Sequence, residues 1–318
     1  MRKAALRRCE MGKIAVLFAG QGAQYPGMGR DICSVSAKAQ KVFDMGESIT
    51  PGIKQICFDS DADILSKTEN TQPALFLTDL ACAYALLEAG IVGDFAAGFS
   101  LGEIAALAYC GILSDSDAYK LVCTRGLLMA KCAEKHPGAM AAVLKLTPDT
   151  VEKICSEFKE IYPVNYNCPG QISVAGNAEE MPLFCQRIKE TGGRAVPLAV
   201  SGAFHSPYMK EASAGLYEAL QSLDIKSPKI PLFANISAEP YPDDGNGIVA
   251  TVANQASSSV RFQTTIEKMR QSGADTFIEV GAGKTLSGFV ARTLKDVKIF
   301  NVSDSDSLNK TIHDLTEN

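Results

Sequence analysis

The chain reads as an α/β protein interrupted by a compact α+β insertion. Three observations carry that reading: strand-like apolar runs alternate with helix-forming stretches, glycine turns follow several of those runs, and the texture changes between about residues 138 and 200. The opening run, Lys13-Ile14-Ala15-Val16-Leu17-Phe18-Ala19, has β-branched members and passes into Gly20-Gln21-Gly22-Ala23-Gln24, which predicts a buried strand entering a glycine loop. Pro73 to Ala89 is rich in Ala and Leu and predicts a helix. Ile91 to Ala97 is short and apolar enough for a second buried strand, Gly98-Phe99-Ser100-Leu101-Gly102 for a turn, and Glu103 to Ala108 for the helix after it. Asp115 to Ala133 is again helical, with Leu121, Leu128 and Met129 on its buried face. Within the insertion, residues 139–144, 171–176 and 195–198 predict strands, and residues 148–159 and 179–191 predict helices. A helix (206–223), a strand (231–235), a helix (262–272), a strand (276–280) and the glycine turn Gly281-Ala282-Gly283-Lys284 follow. Pro240 to Gly247 predicts a surface loop. The polar residues from Ser303 to Asn318 are expected to be weakly ordered, although Leu308 and Ile312 could dock.

At 318 residues and 46% hydrophobic, the chain is long enough for a large core and about two domains. Its formal charge of -5 and its lack of Trp argue against a general nucleic-acid binder. No apolar run approaches the roughly 18 to 20 residues needed to span a bilayer. The basic segment Met1 to Glu10 lacks a signal-peptide apolar region behind it, so a cytoplasmic protein is expected, with Met11 as an alternative start. The ten cysteines include no C-x-x-C pair and no adjoining histidine cluster. They read as small buried hydrophobes in a reducing compartment, and neither zinc nor a redox cofactor is expected.

A serine between two glycines, where an apolar strand gives way to a helix, has the form of a nucleophile elbow, though the pentapeptide alone also fits an ordinary turn. The glycines allow a sharp turn and close packing of strand on helix, and the serine oxygen projects at the positive end of that helix. A serine needs a base at neutral pH, and the chain has only three histidines. His205 is the candidate, bracketed by Gly202 and Pro207 in a loop before a helix. His136 precedes Pro137 in a polar turn and His313 lies in the tail. A structural hydrogen bond at a helix entry is the other reading of His205.

Taken together, these residues resemble the malonyl-CoA:acyl carrier protein transacylases over nearly the whole chain. The motifs that carry the resemblance, in order, are Gly20-Gln21-Gly22-Ala23-Gln24, Thr71-Gln72-Pro73-Ala74, the elbow followed by Glu103, Arg125-Gly126, and Gly202-Ala203-Phe204-His205-Ser206-Pro207. Asn165-Tyr166-Asn167-Cys168-Pro169-Gly170-Gln171 and Glu279-Val280-Gly281-Ala282-Gly283 support it. The resemblance implies an α/β-hydrolase-like large domain with a parallel sheet (residues 1–136 and 201–318) and a small ferredoxin-like subdomain (137–200), with the site in the cleft between them. It implies that Ser100 is the acylated nucleophile, that His205 is the general base, and that the backbone N–H groups of Gln21 and Leu101 form the oxyanion hole. Arg125 would pair with the malonyl carboxylate, a role suited to a planar guanidinium that makes two parallel hydrogen bonds. Gln255 would orient the histidine through its backbone carbonyl, leaving a Ser-His dyad with no acidic third member.

The implied reaction moves malonyl from coenzyme A to Ser100 and then to the phosphopantetheine thiol of an acyl carrier protein, in fatty acid or polyketide synthesis. Malonyl-CoA is a substrate, no cofactor is implied, and a monomer without membrane attachment is expected. A serine acyl hydrolase or editing enzyme is the alternative, since the same elbow and base can deliver water; a non-catalytic carrier-protein scaffold is a third class. Two departures from the family pattern stand out. Phe99 occupies a position where the family usually has His, which should remove a hydrogen bond and dry the pocket wall, and Ala19 stands where many members have Pro. Arg194, Lys284 and Arg292 are candidates for a basic rim that meets an acidic carrier protein, and equally for ordinary solvated charges.

Overall fold

The computed structural model describes residues 12–200 and 202–317, so the basic segment and the alternative start at Met11 lie outside the described residues. Its strands are β1 (Lys13–Phe18), β2 (Phe95–Gly98), β3 (Gly138–Leu144), β4 (Ile161–Cys168), β5 (Gln171–Asn177), β6 (Arg194–Pro197), β7 (Leu232–Phe233), β8 (Ala274–Val280) and β9 (Lys298–Val302). They form two sheets. A five-stranded sheet has the order β7-β2-β1-β8-β9 with every pairing parallel. A parallel sheet is covered on both faces, which is why β1 reads as a continuous apolar run. Ile14, Val16 and Phe18 enter the core on one face while Ala15 and Leu17 enter the core on the other.

The second sheet has the antiparallel order β4-β5-β3-β6. With helices Pro148–Cys155 and Met181–Glu190 between its strands, it makes a β-α-β-β-α-β unit of ferredoxin type with its own core around Val143, Val174, Phe184 and Ile188. The predicted α/β class, with a parallel sheet and a small α+β unit, is the one observed.

The large sheet positions the site. From β1 the chain steps outward to β2 and β7 on one side, and later to β8 and β9 on the other, so the strand order reverses at β1. Ligands of open parallel sheets bind beyond the carboxyl ends of the strands at such a switch point. Here those ends carry Gly20 and Gln21 after β1 and the Phe99-Ser100 turn after β2.

Several elements differ from the sequence reading. The apolar run from Ile91 gives a strand only from Phe95, because Asp94 first ties the chain to the start of β1: Ile14 N–H donates to its carboxylate at 2.9 Å and Asp94 N–H donates to Ile14 O at 2.8 Å. The predicted helix at Pro73 begins earlier, as α1 (Thr68–Glu88), since the Asn70 and Thr71 N–H groups both close onto Lys67 O at 2.8 Å and start the turn ahead of the proline. The predicted helix 206–223 is a short turn, Pro207–Met209, and a helix, Lys210–Leu220. The strand expected over 231–235 pairs only at Leu232–Phe233. Tyr241, in the segment read as a surface loop, is 4% exposed. The polar tail forms a helix, Ser305–Glu317, in which Leu308 and Leu315 are buried and Ile312 packs on the core. Its polarity belongs mainly to the outer face, the buried Thr311 donating its hydroxyl to Asn301 O at 3.3 Å. Four helices between residues 30 and 65, and strands β4 and β9, have no counterpart in the sequence reading.

Two glycines make the elbow sterically possible. A Cβ at Gly98 would lie 2.0 Å from Glu103 N, and one at Gly102 would lie 2.3 Å from Phe18 O. The helix after the turn, α2 (Gly102–Tyr109), therefore packs directly on the backbone of β1 and β2.

Candidate active site

Ser100 stands at the apex of the turn between β2 and α2 with φ 56, a left-handed conformation that a residue with a Cβ adopts only when its surroundings enforce it. His205 is likewise left-handed, with φ 61, and its N–H is anchored on Ala256 O at 3.2 Å. The two side chains meet, with Ser100 Oγ 2.7 Å from His205 Nε2. On the other side of the ring, Nδ1 faces Gln255 O at 3.1 Å and Ser258 O at 3.2 Å. Carbonyls only accept, so Nδ1 carries the hydrogen and Nε2 presents its lone pair to the serine hydroxyl. The Ser258 carbonyl is held by the small sheet: Val260 N–H donates to Val164 O at 2.7 Å, Tyr166 N–H donates to Val260 O at 2.9 Å, and the Ser259 hydroxyl donates to Pro163 O at 3.0 Å.

Arg125 lies on the long helix α3 (Asp115–Lys135) and is 1% exposed. Gly126 beside it lets α3 approach α1, since a Cβ there would come within 3.2 Å of Thr68 O. The guanidinium donates through Nη1 to Gln72 Oε1 at 2.8 Å, and through Nη2 to Gln255 Oε1 at 2.8 Å and Ser100 Oγ at 3.1 Å. Its acceptors are two neutral amides and a hydroxyl, and Nε is buried without a partner. A charged donor with unused hydrogens, aimed at the nucleophile, is suited to an incoming carboxylate.

Neither the Gln21 nor the Leu101 N–H donates to another group among the described residues. Gln21 lines a cleft of about 440 Å³ with Ser66, Lys67, Thr68, Leu198, Ala199 and Val200. Its walls thus come from the loop after β1, the start of α1 and the segment after β6. A larger cleft of about 690 Å³ lies at the far end of α2, around Tyr84, Tyr109 and Lys229, and holds no nucleophile and base pair.

Burial governs the electrostatics. It pulls the His205 pKa down to about 4, aided by the Arg125 charge and opposed by the two carbonyls at Nδ1. Burial also lowers Arg125 to about 10, against the pull of Glu103. Glu103 is raised to about 7 by its own burial, opposed by hydrogen bonds from Tyr241 and the Asn235 N–H and by the Arg125 charge. The base is therefore neutral, and competent, far into the acid range. The acylation rate should stay level as pH is lowered to about 5 and fall toward pH 4 as Nε2 takes a proton. Because the folded-state value lies below the ordinary 6.5 of histidine, the unfolded chain binds this proton first, so stability is lost as pH falls from about 6.5 to about 4. A rate profile already falling near 6.5 would show a solvated imidazole.

The structure brings together Ser100, His205, Arg125 and Gln255; Leu101 follows the serine in the chain, and the loop that carries Gln21 passes against the elbow, where a Cβ on Gly20 would lie 2.6 Å from Phe99 O. Gln255 does more than its carbonyl role, since its side chain links Arg125 to Ser100 O, to which Nε2 donates at 2.7 Å. Phe99 is turned toward the core behind the elbow, with its ring 5.3 Å from Phe262 and 6.0 Å from Phe289. Arg292, on the helix Thr285–Thr293, donates to Gln171 Oε1 at the start of β5 at 2.6 Å and so ties that helix to the small sheet, while Arg194 is exposed. The roles of Gln72, Asn235, Tyr241 and Ser258 are visible only in the structure. Gln72 lay inside a recognised motif, and the signal for Asn235 was a polar residue closing an apolar strand run.

The family model described as "Acyl transferase domain" matches residues 16–318. The chain is 39% identical over 313 residues to a malonyl CoA-acyl carrier protein transacylase of Bacillus subtilis, covering 96% of this chain and 98% of that one. Among solved structures, it is similar to the malonyl CoA-acyl carrier protein transacylase of Clostridium perfringens, at 38% identity and TM-score 0.92, covering 96% of this chain and 98% of that one. It is also similar, at 28% identity and TM-score 0.91, to a malonyl-transacylase in complex with its type II PKS acyl-carrier protein, covering 95% of this chain and 99% of that one.

Proposed function

The chain belongs to the acyl transferase family, among the malonyl-CoA:acyl carrier protein transacylases, and from that premise we propose that Ser100 carries the malonyl group between its two thiols. The observation that carries this is the 2.7 Å contact of Ser100 Oγ with His205 Nε2, with Arg125 on the same oxygen.

His205 Nε2 takes the hydroxyl proton as Oγ attacks the thioester carbonyl of malonyl-CoA. The oxyanion is received by the Gln21 and Leu101 N–H groups, aided by the N-terminal end of α2. Collapse breaks the carbon–sulfur bond, and the departing sulfur takes the proton back from the imidazolium. The phosphopantetheine thiol of the carrier protein then runs the same steps in reverse, giving ping-pong kinetics. Both hydrogens of Arg125 Nη2 are committed in the free site, to Gln255 and to Ser100. A carboxylate taking two parallel bonds on that edge displaces the serine, freeing an Oγ lone pair as the correct substrate arrives.

Intact-mass spectrometry after mixing with malonyl-CoA should show one malonyl adduct, discharged faster by holo acyl carrier protein than by water. Absence of the adduct, or equally fast discharge by water, would replace this reading with a hydrolase.

A further inference from the structure

We propose that Asn235 is a positioning residue for acyl transfer, an amide clip that holds the nucleophile's backbone in its left-handed conformation. The proposal rests on Ser100 being the nucleophile, and nothing in the sequence motifs assigns Asn235 a part. Its side chain is fully buried and bonded at both ends. Oδ1 accepts from Ser100 N–H at 2.8 Å, and Nδ2 donates to Gly98 O at 2.6 Å. The clip thus spans the strand end and the apex of the elbow. Asn235 is itself fixed, because its N–H donates to Glu103 Oε2 at 2.7 Å and Tyr241 donates to the other oxygen of Glu103. Gln255 Nε2 completes the arrangement, donating to Asn235 Oδ1 at 3.2 Å and to Ser100 O at 2.7 Å.

Two consequences follow for the chemistry. First, both peptide groups flanking the Ser100 Cα are held, so the φ of 56 is enforced from outside and Oγ is aimed at His205. Second, the Ser100 N–H is occupied, which leaves the oxyanion to Leu101 and Gln21. An amide meets both demands at any pH, an acceptor for an N–H and a donor for a carbonyl, and a carboxyl group meets them only when protonated. A carboxylate cannot donate to Gly98 O, and it would lie beside Glu103.

The test compares Asn235→Ala and Asn235→Asp with the unmodified enzyme, reading acylation by malonyl-CoA and the rate at which a fluorophosphonate labels Ser100. The alanine variant should lose about 10- to 100-fold in both rates with KM for malonyl-CoA little changed, the size of effect expected from a small misplacement of a reacting atom. The aspartate variant should approach that loss as pH is raised and its carboxyl ionises. It should recover relative to the unmodified enzyme as pH is lowered to about 5.5, because a protonated carboxyl donates to Gly98 O while its carbonyl accepts from Ser100. Glu103 is bonded to this position and Tyr241 to Glu103, Arg125 reaches it through Gln255, and Arg261 N–H donates to Asn235 O at 2.8 Å. Burial and Glu103 raise the new acid's pKa while Arg125 and Arg261 lower it, and the ratio to the unmodified enzyme removes the titration of the groups the two share. Rates within about twofold of the unmodified enzyme for the alanine variant, a rise in KM at constant kcat, or equal losses for both variants at every pH would overturn the clip. An unmodified enzyme that labels at Ser100 but takes up no malonyl would overturn the functional reading instead, with the labelling rates still deciding the role of Asn235.

Discussion

Ser100→Ala should abolish the malonyl adduct and lower transfer to carrier protein by about 10⁴-fold or more, and His205→Ala should come close to it. Oγ and Nε2 are 2.7 Å apart, and the proton that leaves one is received by the other. Removing either partner removes the same step. The double variant should therefore be hardly worse than Ser100→Ala alone, which is the signature of two groups acting as a unit. Steady-state transfer of labelled malonyl to holo carrier protein measures all three. Losses that multiply would mean that the two residues act independently. The folds should be unaffected, because Ser100 is held through its backbone by Asn235 and Gln255 and His205 through Ala256.

Arg125→Ala should lower malonyl loading by about 10²- to 10³-fold while leaving acetyl loading equal or higher. A pair of charge-assisted hydrogen bonds in a dry site is worth a few kcal/mol, and each 1.36 kcal/mol is tenfold in rate. Acetyl brings no carboxylate, and without the guanidinium the Ser100 oxygen loses a donor that competes for its lone pair. Arg125→Lys should restore little, since an ammonium cannot bridge Gln72, Gln255 and a carboxylate in one plane. The measurement is single-turnover loading from malonyl-CoA and acetyl-CoA on the same preparations. An equal loss for both would show that the arginine serves only to pack α3 against α1.

Much of this was legible because the elbow imposes its own composition. A strand must end, a helix must begin within a few residues, and backbone from β1 must pass close by, so glycines flank the serine and an apolar run precedes it. His205 and Arg125 were reachable because the chain has few histidines and because Arg125-Gly126 falls in a recognised motif. Asn235, Gln255 and Tyr241 converge on the elbow from segments more than 130 residues downstream, and only tertiary folding makes their amides and hydroxyl adjacent to it. The tail helix is hard to read from sequence because its buried face is narrow, with Leu308 and Leu315 among many polar residues.

The dependence of His205 on the carbonyls of Gln255 and Ser258 also orders events during synthesis on the ribosome. A nascent chain already holding Ser100 and Arg125 lacks the base. Once His205 has emerged, its ring still lacks the acceptors that fix the tautomer, and β1 still lacks β8, its partner from residues 274–280. Chains fold from the N-terminal end as they are made. A chain that ends before Ser258 therefore holds the nucleophile without the full set of acceptors that fixes the tautomer of its base.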